Sequence, residues 1–191
     1  MGVSEDAASQ NPDESDRADA RLARGGDRAA FRRIVERHQN RVFNLALRIL
    51  RSREDALEAA QDTFLRAHEK LHQYRPEHRF GNWLLRIAQN LAISRLRIRK
   101  PESAGPECDD IADSSPGPEA TVGRREQLAS VDRCLAGLAE KYRTTLLLRH
   151  QEGCSLAEIA YVLDVPIGTV KFRLHQGYLL LRGRLRLSET E

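Results

Sequence analysis

The sequence predicts an all-α protein, made of two small helical domains joined by a flexible acidic linker. Apolar residues recur every three or four positions along most of the chain, which is typical of helices that bury one face. No segment alternates apolar and polar residues with the period of two that a half-buried strand requires. Four of the seven prolines fall within residues 101–122, together with two glycines, so this segment interrupts the helical pattern.

The charge distribution supports the same division of the chain. The net charge is −3 for residues 1–26, +9 for residues 27–100, −6 for residues 101–122 and +3 for residues 123–191. The total of +3 therefore hides two basic segments on either side of an acidic one. Basic segments favour polyanionic partners such as nucleic acids, although arginine-rich helices are also common as solvated surfaces.

Several classes of protein are disfavoured by composition. Three cysteines without a CxxC pair argue against a disulfide framework and against a zinc-thiolate site, and they suit a reducing cytosol. The polar, acidic N-terminus does not resemble a signal peptide, and no apolar run is long enough to span a bilayer. No catalytic constellation, metal site or cofactor motif is expected. We therefore predict a cytoplasmic protein without membrane insertion.

Local patterns predict the elements of the N-terminal half. Residues 1–26 have few large apolar side chains and end in two glycines, so we expect a disordered tail. Residues 27–100 form the first domain. The apolar stripe after the capping residue Asp27 predicts one long helix or two nearly collinear ones, and Ser52 is expected to cap the next helix. That helix should bury Leu57 and Phe64, and a third helix should start near Phe80.

Residues 123–191 form the second domain and contain the most informative short motif, a helix-turn-helix. Ser155 and Glu158 form a capping box, Asp164 can adopt the left-handed turn geometry, and Pro166 stands where a second helix starts. We expect Ile167 on the buried face of that helix. Its outward side then carries residues suited to the major groove of DNA: Thr169, Lys171, Phe172, Arg173, His175 and Gln176. The alternative is a simple packing motif.

Three segments carry a resemblance to a known family. Residues 153–175 (GCSLAEIAYVLDVPIGTVKFRLH) resemble region four of the extracytoplasmic-function (ECF) sigma factors of the sigma-70 family. Residues 54–67 (EDALEAAQDTFLRA) and 80–92 (FGNWLLRIAQNLA) resemble region two. The matches occur in the family's order, with the acidic segment between them. The resemblance implies partners: the RNA polymerase core enzyme, promoter DNA and a cognate anti-sigma factor.

The resemblance also implies a role for each part of the chain. The helix that carries Asp55, Gln61 and Asp62 would dock on the polymerase clamp helices. The loop and helix that follow would recognise the minus-ten promoter element as it melts, through Tyr74, Arg75, Arg79, Phe80, Trp83, Arg86, Asn90 and Arg97. Aromatic rings could stack on an unpaired base and arginines could bind phosphates. Core packing is the alternative for Phe80 and Trp83. The helix-turn-helix would bind the minus-thirty-five element.

Several positions depart from the family pattern. Ser94 stands where the family commonly has Asp, and Asp164 stands where it commonly has Gly. On the recognition helix, a more polar and basic run is replaced by Phe172, Gln176, Gly177 and Tyr178. These changes leave the predicted fold intact, and they leave the promoter sequence open.

Two other functions are compatible with parts of the sequence. His68-Glu-Lys-Leu-His72 matches the HExxH motif of zinc metalloproteases, in which two histidines bind the metal. Arg75, in place of the glycine of the longer metzincin signature, and a single methionine at position 1 argue against it. A helix-turn-helix regulator that acts without polymerase is the second alternative.

Overall fold

The computed structural model describes residues 12–99 and 133–188, and every regular element in these two ranges is helical, which confirms the all-α prediction. No helix among them is long and apolar enough to cross a membrane. Residues 101–122, the expected linker, lie outside the described ranges. The elements are α1 (Pro12–Arg24), α2 (Arg28–Leu50), α3 (Arg53–Glu69), a 3-10 turn (Leu71–Gln73), α4 (Phe80–Arg99), α5 (Glu140–His150), α6 (Leu156–Leu163) and α7 (Ile167–Ser188).

Helix α1 corrects the prediction of a disordered tail for residues 12–24. Its inner face is acidic and packs against α2. Asp16 forms an ion pair with Arg37 at 3.0 Å, and its carboxylate lies 2.8 Å from a ring nitrogen of His38. Asp19 lies 2.5 Å from both Arg33 and Arg37. The scarcity of large apolar side chains therefore did not indicate disorder in this segment, because ion pairs and buried alanines hold α1 against its neighbours.

The first domain is a bundle of α2, α3 and α4, with α1 against α2 and α4. The Asp27 carboxylate accepts hydrogen bonds from the first backbone N–H groups of α2 at 2.8 and 3.1 Å, and the helix then runs uninterrupted to Leu50. Ser52 caps α3 as expected, through a 3.2 Å bond to its Oγ. Leu57 is 47% exposed, so the prediction that it is buried was wrong. The largest fully buried apolar side chains of this bundle are Ile34, Val42, Leu45, Ile49, Phe80, Leu84 and Leu85.

The second domain confirms the helix-turn-helix. The Ser155 Oγ accepts from the Glu158 N–H at 3.2 Å and the Glu158 carboxylate accepts from the Ser155 N–H at 2.8 Å, which completes the capping box. Asp164 is left-handed, with φ 55° and ψ 49°, and it ends α6. Ile167 is 46% exposed, not buried as predicted, because α7 only begins there and Val170 is its first fully buried side chain.

The two domains pack directly on each other, with α4 against α6 and α2 against α5. Arg143 of α5 is buried at this junction and donates hydrogen bonds to the carbonyls of Ile49 and Ala136, both at 3.1 Å. A cation beside the last carbonyls of α2 is favourably placed with respect to the helix dipole. Cys154 is buried at the same junction, and burial raises the pKa of its thiol to about 11, so the thiol is neutral.

Candidate polymerase and nucleic-acid interfaces

Helix α3 carries the three residues predicted to bind polymerase. Gln61 is exposed, whereas Asp55 and Asp62 are half-buried in the first and third turns. Asp62 pairs with Arg95 of α4 at 2.6 Å, and Glu58 holds the same guanidinium at 2.8 Å. The hydrogen bonds that Arg95 donates to Glu58 and Asp62 raise the pKa of its guanidinium and outweigh burial, which lowers that pKa. Asp62 therefore ties α3 to α4, and Gln61 is the residue of this set that faces outward.

An apolar groove lies beside Gln61. It is formed by Phe31 and Val35 of α2 with Phe64 and Leu65 of α3. Leu65 is 64% exposed and Phe64 is half-buried. Sequence analysis missed Leu65 because that residue lies off the apolar stripe of α3, and this irregularity was the available signal: a large apolar side chain on a polar face often marks a contact with another protein.

The HExxH segment does not fold as the zinc motif requires. The motif needs both histidines one turn apart on one helix. Helix α3 ends at Glu69, and His72 lies in the 3-10 turn, where its ring is 3.1 Å from the Glu69 carbonyl. The ring of His68 packs edge-on against Phe31 at 4.9 Å. Among residues 12–99 and 133–188, no group of three or more His, Cys, Asp or Glu side chains could hold a metal ion.

The three aromatic residues predicted to stack on DNA form one buried cluster. Phe80 is fully buried, and Tyr74 and Trp83 are 6% and 8% exposed. The ring of Phe80 lies 4.8 Å from that of Tyr74 and 5.2 Å from that of Trp83, and the Tyr74 hydroxyl donates to the His78 carbonyl at 2.9 Å. The structure therefore supports the core alternative for Phe80 and Trp83, while contact of these rings with DNA stays a prediction: the cluster anchors the loop that connects α3 to α4.

The predicted phosphate-binding residues of the first domain surround this cluster. Arg75 and Arg79 are exposed on the loop. Arg79 pairs with Asp13 of α1 at 2.8 Å and lies 3.5 Å from Glu158 of α6. Arg86 is half-buried and pairs with Asp164 at 3.1 Å. Two of these three arginines are therefore engaged by carboxylates of other elements, and sequence analysis did not foresee these contacts because the partners are distant in the chain.

Further along α4, Asn90 and Arg97 are both exposed. They line a cleft that also includes Ser94 of α4, Lys141 of α5 and Arg173 of α7. The cleft carries three basic side chains and the acidic Glu140, and it brings residues predicted for the minus-ten element next to one predicted for the minus-thirty-five element.

Helix α7 presents the predicted recognition residues as an outward face. Lys171, Phe172 and His175 are exposed, and Phe172 is exposed by 57%. Thr169, Arg173 and Gln176 are half-buried on the sides of the helix. On the opposite face, Val170 and Leu174 are buried. The left-handed Asp164 ends α6, and α7 then presents Lys171, Phe172 and His175 outward, as a helix that enters a major groove requires.

Comparisons with known proteins agree with this arrangement. The family profile for Sigma-70 region 2 matches residues 34–101, and that for Sigma-70 region 4 matches residues 128–181. The ECF RNA polymerase sigma factor SigW of Bacillus subtilis is 35% identical over 171 residues, which cover 84% of this chain and 91% of SigW. The RNA polymerase sigma-H factor of Pseudomonas aeruginosa is 33% identical over 159 residues, which cover 78% of this chain and 82% of that protein.

Solved structures of the same fold are also similar. CnrH in complex with the cytosolic domain of CnrY matches with a TM-score of 0.69 at 26% identity, covering 91% of this chain and 98% of CnrH. RpoE of Bartonella quintana, solved with the anti-sigma factor NepR, has the same TM-score at 22% identity, covering 82% of this chain and 96% of RpoE, and supports the fold alone. SigW matches this chain over nine tenths of its own length, and the profiles of region 2 and region 4 match in that order along the chain. This chain therefore belongs to the ECF RNA polymerase sigma factors of the sigma-70 family.

Proposed function

We propose that this chain binds the core RNA polymerase, directs it to promoters with two recognition elements, and promotes strand opening at the minus-ten element. One observation carries the proposal: region 2 and region 4 both occur on one chain whose sequence matches named RNA polymerase sigma factors over most of their length. The chain performs no bond chemistry of its own in this proposal, because its parts act by binding.

The polymerase would dock on α3. Gln61 and the exposed Leu65 stand together at the apolar groove, which offers a protein partner an apolar contact with a polar rim. Asp55 lies six residues before Gln61 on the same helix, about 120° around its axis at about 3.6 residues per turn, so it would contact the polymerase from a neighbouring face. Asp62 would contribute to polymerase binding less directly, because its ion pair with Arg95 holds α3 against α4.

The minus-ten element would bind along the loop after α3 and along α4. Arg75, Arg79, Arg86 and Arg97 would neutralise phosphates, and Asn90 would bond to sugar or base edges. Burial of the aromatic cluster suggests a supporting role for it: the packed rings fix the loop that presents Arg75 and Arg79 to DNA. Stacking of a base on Trp83 stays a prediction, and it requires the cluster to open.

The minus-thirty-five element would bind α7. Arg173 and Gln176 have the hydrogen-bonding geometry to contact base edges with two bonds each, whereas Lys171 and Thr169 suit phosphates. Phe172 and His175 complete the exposed face, and an apolar ring at this position favours contact with a thymine methyl. CnrH was solved in complex with the cytosolic domain of CnrY, and by analogy a protein partner is part of the proposal. The family resemblance makes an anti-sigma factor the expected kind of partner.

In vitro transcription with core polymerase and a library of genomic promoter fragments tests the proposal. We expect selective transcripts with the wild-type chain. Arg173→Ala should retain polymerase binding and lose transcription that depends on the upstream element. Gln61→Arg, at an exposed position, should weaken binding to core polymerase. Tight binding of the chain alone to duplex DNA, with no selective transcript from any fragment, would favour the polymerase-independent regulator instead.

A further inference from the structure

Helix α1 contacts the loop that carries residues predicted to bind the minus-ten element. Asp13, in the first turn of α1, pairs with Arg79 at the end of this loop, with 2.8 Å between its carboxylate and Nε. Arg17, one turn further on, lies beside the hydroxyl of Tyr74 at the start of the loop. Burial raises the pKa of that hydroxyl, and Arg17 lowers it by a smaller amount. The helix also packs against the 3-10 turn and against α4, so it supports the loop at both ends.

Helix α1 is itself fixed on the bundle. Asp16 and Asp19 are 3% and 6% exposed, and they pair with Arg33, Arg37 and His38 of α2. The two carboxylates lie three residues apart and therefore face α2 together. Because both are shielded from solvent, salt screens their ion pairs less than it screens pairs between exposed groups. The helix can therefore act as a fixed support for the loop.

The ion pair of Arg79 leaves part of its guanidinium available to a ligand. Both nearby carboxylates approach it at Nε, Asp13 at 2.8 Å and Glu158 at 3.5 Å. A guanidinium also donates from its two Nη atoms, so a phosphate can bind that edge while Asp13 keeps Nε. The Arg79 side chain is 62% exposed, which gives a phosphate access to it. Asp13 is the nearer carboxylate and belongs to the same domain as Arg79, so this contact does not depend on the second domain.

We propose that Asp13 is a positioning residue of the minus-ten site: it holds Arg79 with the Nη edge outward, where that edge binds a phosphate of the opening promoter. The inference rests on the proposed function, which assigns Arg79 to the minus-ten element. An arginine side chain loses rotamer entropy when it binds, and a side chain that is already held loses less. The Asp13 carboxylate also weakens the attraction between Arg79 and a phosphate. Positioning is the larger of these two effects in the proposal, so removal of Asp13 should impair opening.

The test compares Asp13→Ala, Arg79→Ala and the double variant as full chains with core polymerase. The template is a promoter fragment that the wild type transcribes selectively, and permanganate reactivity of the melted bases measures strand opening. We expect each single variant to lower the open fraction roughly two- to fivefold, the range of an exposed ion pair. The double variant should be no worse than Arg79→Ala, because Asp13 acts through Arg79.

Salt dependence provides a readout that a purely structural role of Asp13 would not change. The logarithm of the affinity of the holoenzyme for the promoter falls linearly with the logarithm of the salt concentration. Loss of the Arg79 contact should reduce this slope by up to about one, both in Arg79→Ala and in Asp13→Ala. Removal of a negative charge without loss of the contact would instead make the slope steeper.

Glu14→Ala is the matched control, because it removes the same charge from the same turn of α1 at an exposed position. It should open the promoter as the wild type does, and Asp13→Ala should melt at the same temperature as this control. Opening by Asp13→Ala equal to or greater than that of the wild type would overturn the positioning role. A loss of the same size in the Arg79→Ala background would also overturn it. The proposed function would stand in both cases, since the wild type transcribes the fragment. Absence of any selective transcript with the wild type would refute the proposed function and the positioning role together.

Discussion

Replacement of Trp83 by alanine separates a role in the core from a role on DNA. Trp83 is 8% exposed and lies within 5.5 Å of both Tyr74 and Phe80, measured between ring centroids. An aromatic side chain that buries roughly 150–250 Å² contributes about 4–6 kcal/mol at about 25 cal/mol per Å², which is an upper bound. Measured losses for comparable core truncations are about 3–5 kcal/mol. We expect a loss of this size for Trp83→Ala.

The assay is urea unfolding, monitored by far-ultraviolet circular dichroism. Fluorescence is unsuitable because Trp83 is the only tryptophan and the variant therefore has no intrinsic tryptophan fluorescence. Trp83→Phe should retain most of the stability, since a ring still fills the site. Phe172→Ala is the matched control: this ring is 57% exposed, and its loss should change stability by less than about 0.5 kcal/mol. A Trp83→Ala variant as stable as the wild type but unable to open promoter DNA would refute the core assignment and restore the stacking role.

Two further predictions concern the ion pairs and the buried arginine. Arg143→Met should destabilise the chain by roughly 1–3 kcal/mol, because the Ile49 carbonyl at the end of α2 loses its buried donor; a urea midpoint equal to that of the wild type would contradict this. Burial raises the pKa of Asp19, but the hydrogen bonds from Arg33 and Arg37 outweigh it and hold the pKa below its usual value. A carboxyl with a lowered folded pKa stabilises the fold above its unfolded pKa of about 3.9 and loses this contribution as the pH falls through the folded pKa. The destabilisation caused by Asp19→Asn, measured by thermal melting, should therefore be full at neutral pH and shrink below about pH 4, while Glu14→Gln on the exposed face of α1 should have little effect at either pH.

The helix-turn-helix was predictable in detail because its signals are local. A capping box acts between residues three apart, and the left-handed turn depends mainly on the residue that adopts it. Ser155, Glu158 and Asp164 all have the expected geometry. The region-two pattern was equally recognisable, and with it the fold class and the family.

Helix α1 and the aromatic cluster were not predictable from local patterns. Docking of α1 depends on arginines 14 to 18 residues further along the chain, and only the fold brings Asp19 to Arg33 and Arg37. For Tyr74 and Trp83, composition alone does not distinguish a ring that stacks on a base from a ring that packs in a core, because both require a large apolar surface. Their neighbours in the fold decide between the two.

The connection between the two domains is long enough for each of them to bind its own promoter element, as the proposed function requires. Residues 100–132 provide 33 residues between the end of α4 and the start of the described second domain. A fully extended chain spans at most about 3.3 Å per residue, so this segment can reach about 110 Å. That exceeds roughly 85 Å, the length of about 25 base pairs of straight duplex at about 3.4 Å per base pair, which is the separation that the names of the two promoter elements imply. The covalent connection therefore does not oppose separation of the domains. What opposes it is the contact between α4 and α6, where Arg86 is held by Asp164 and Tyr161.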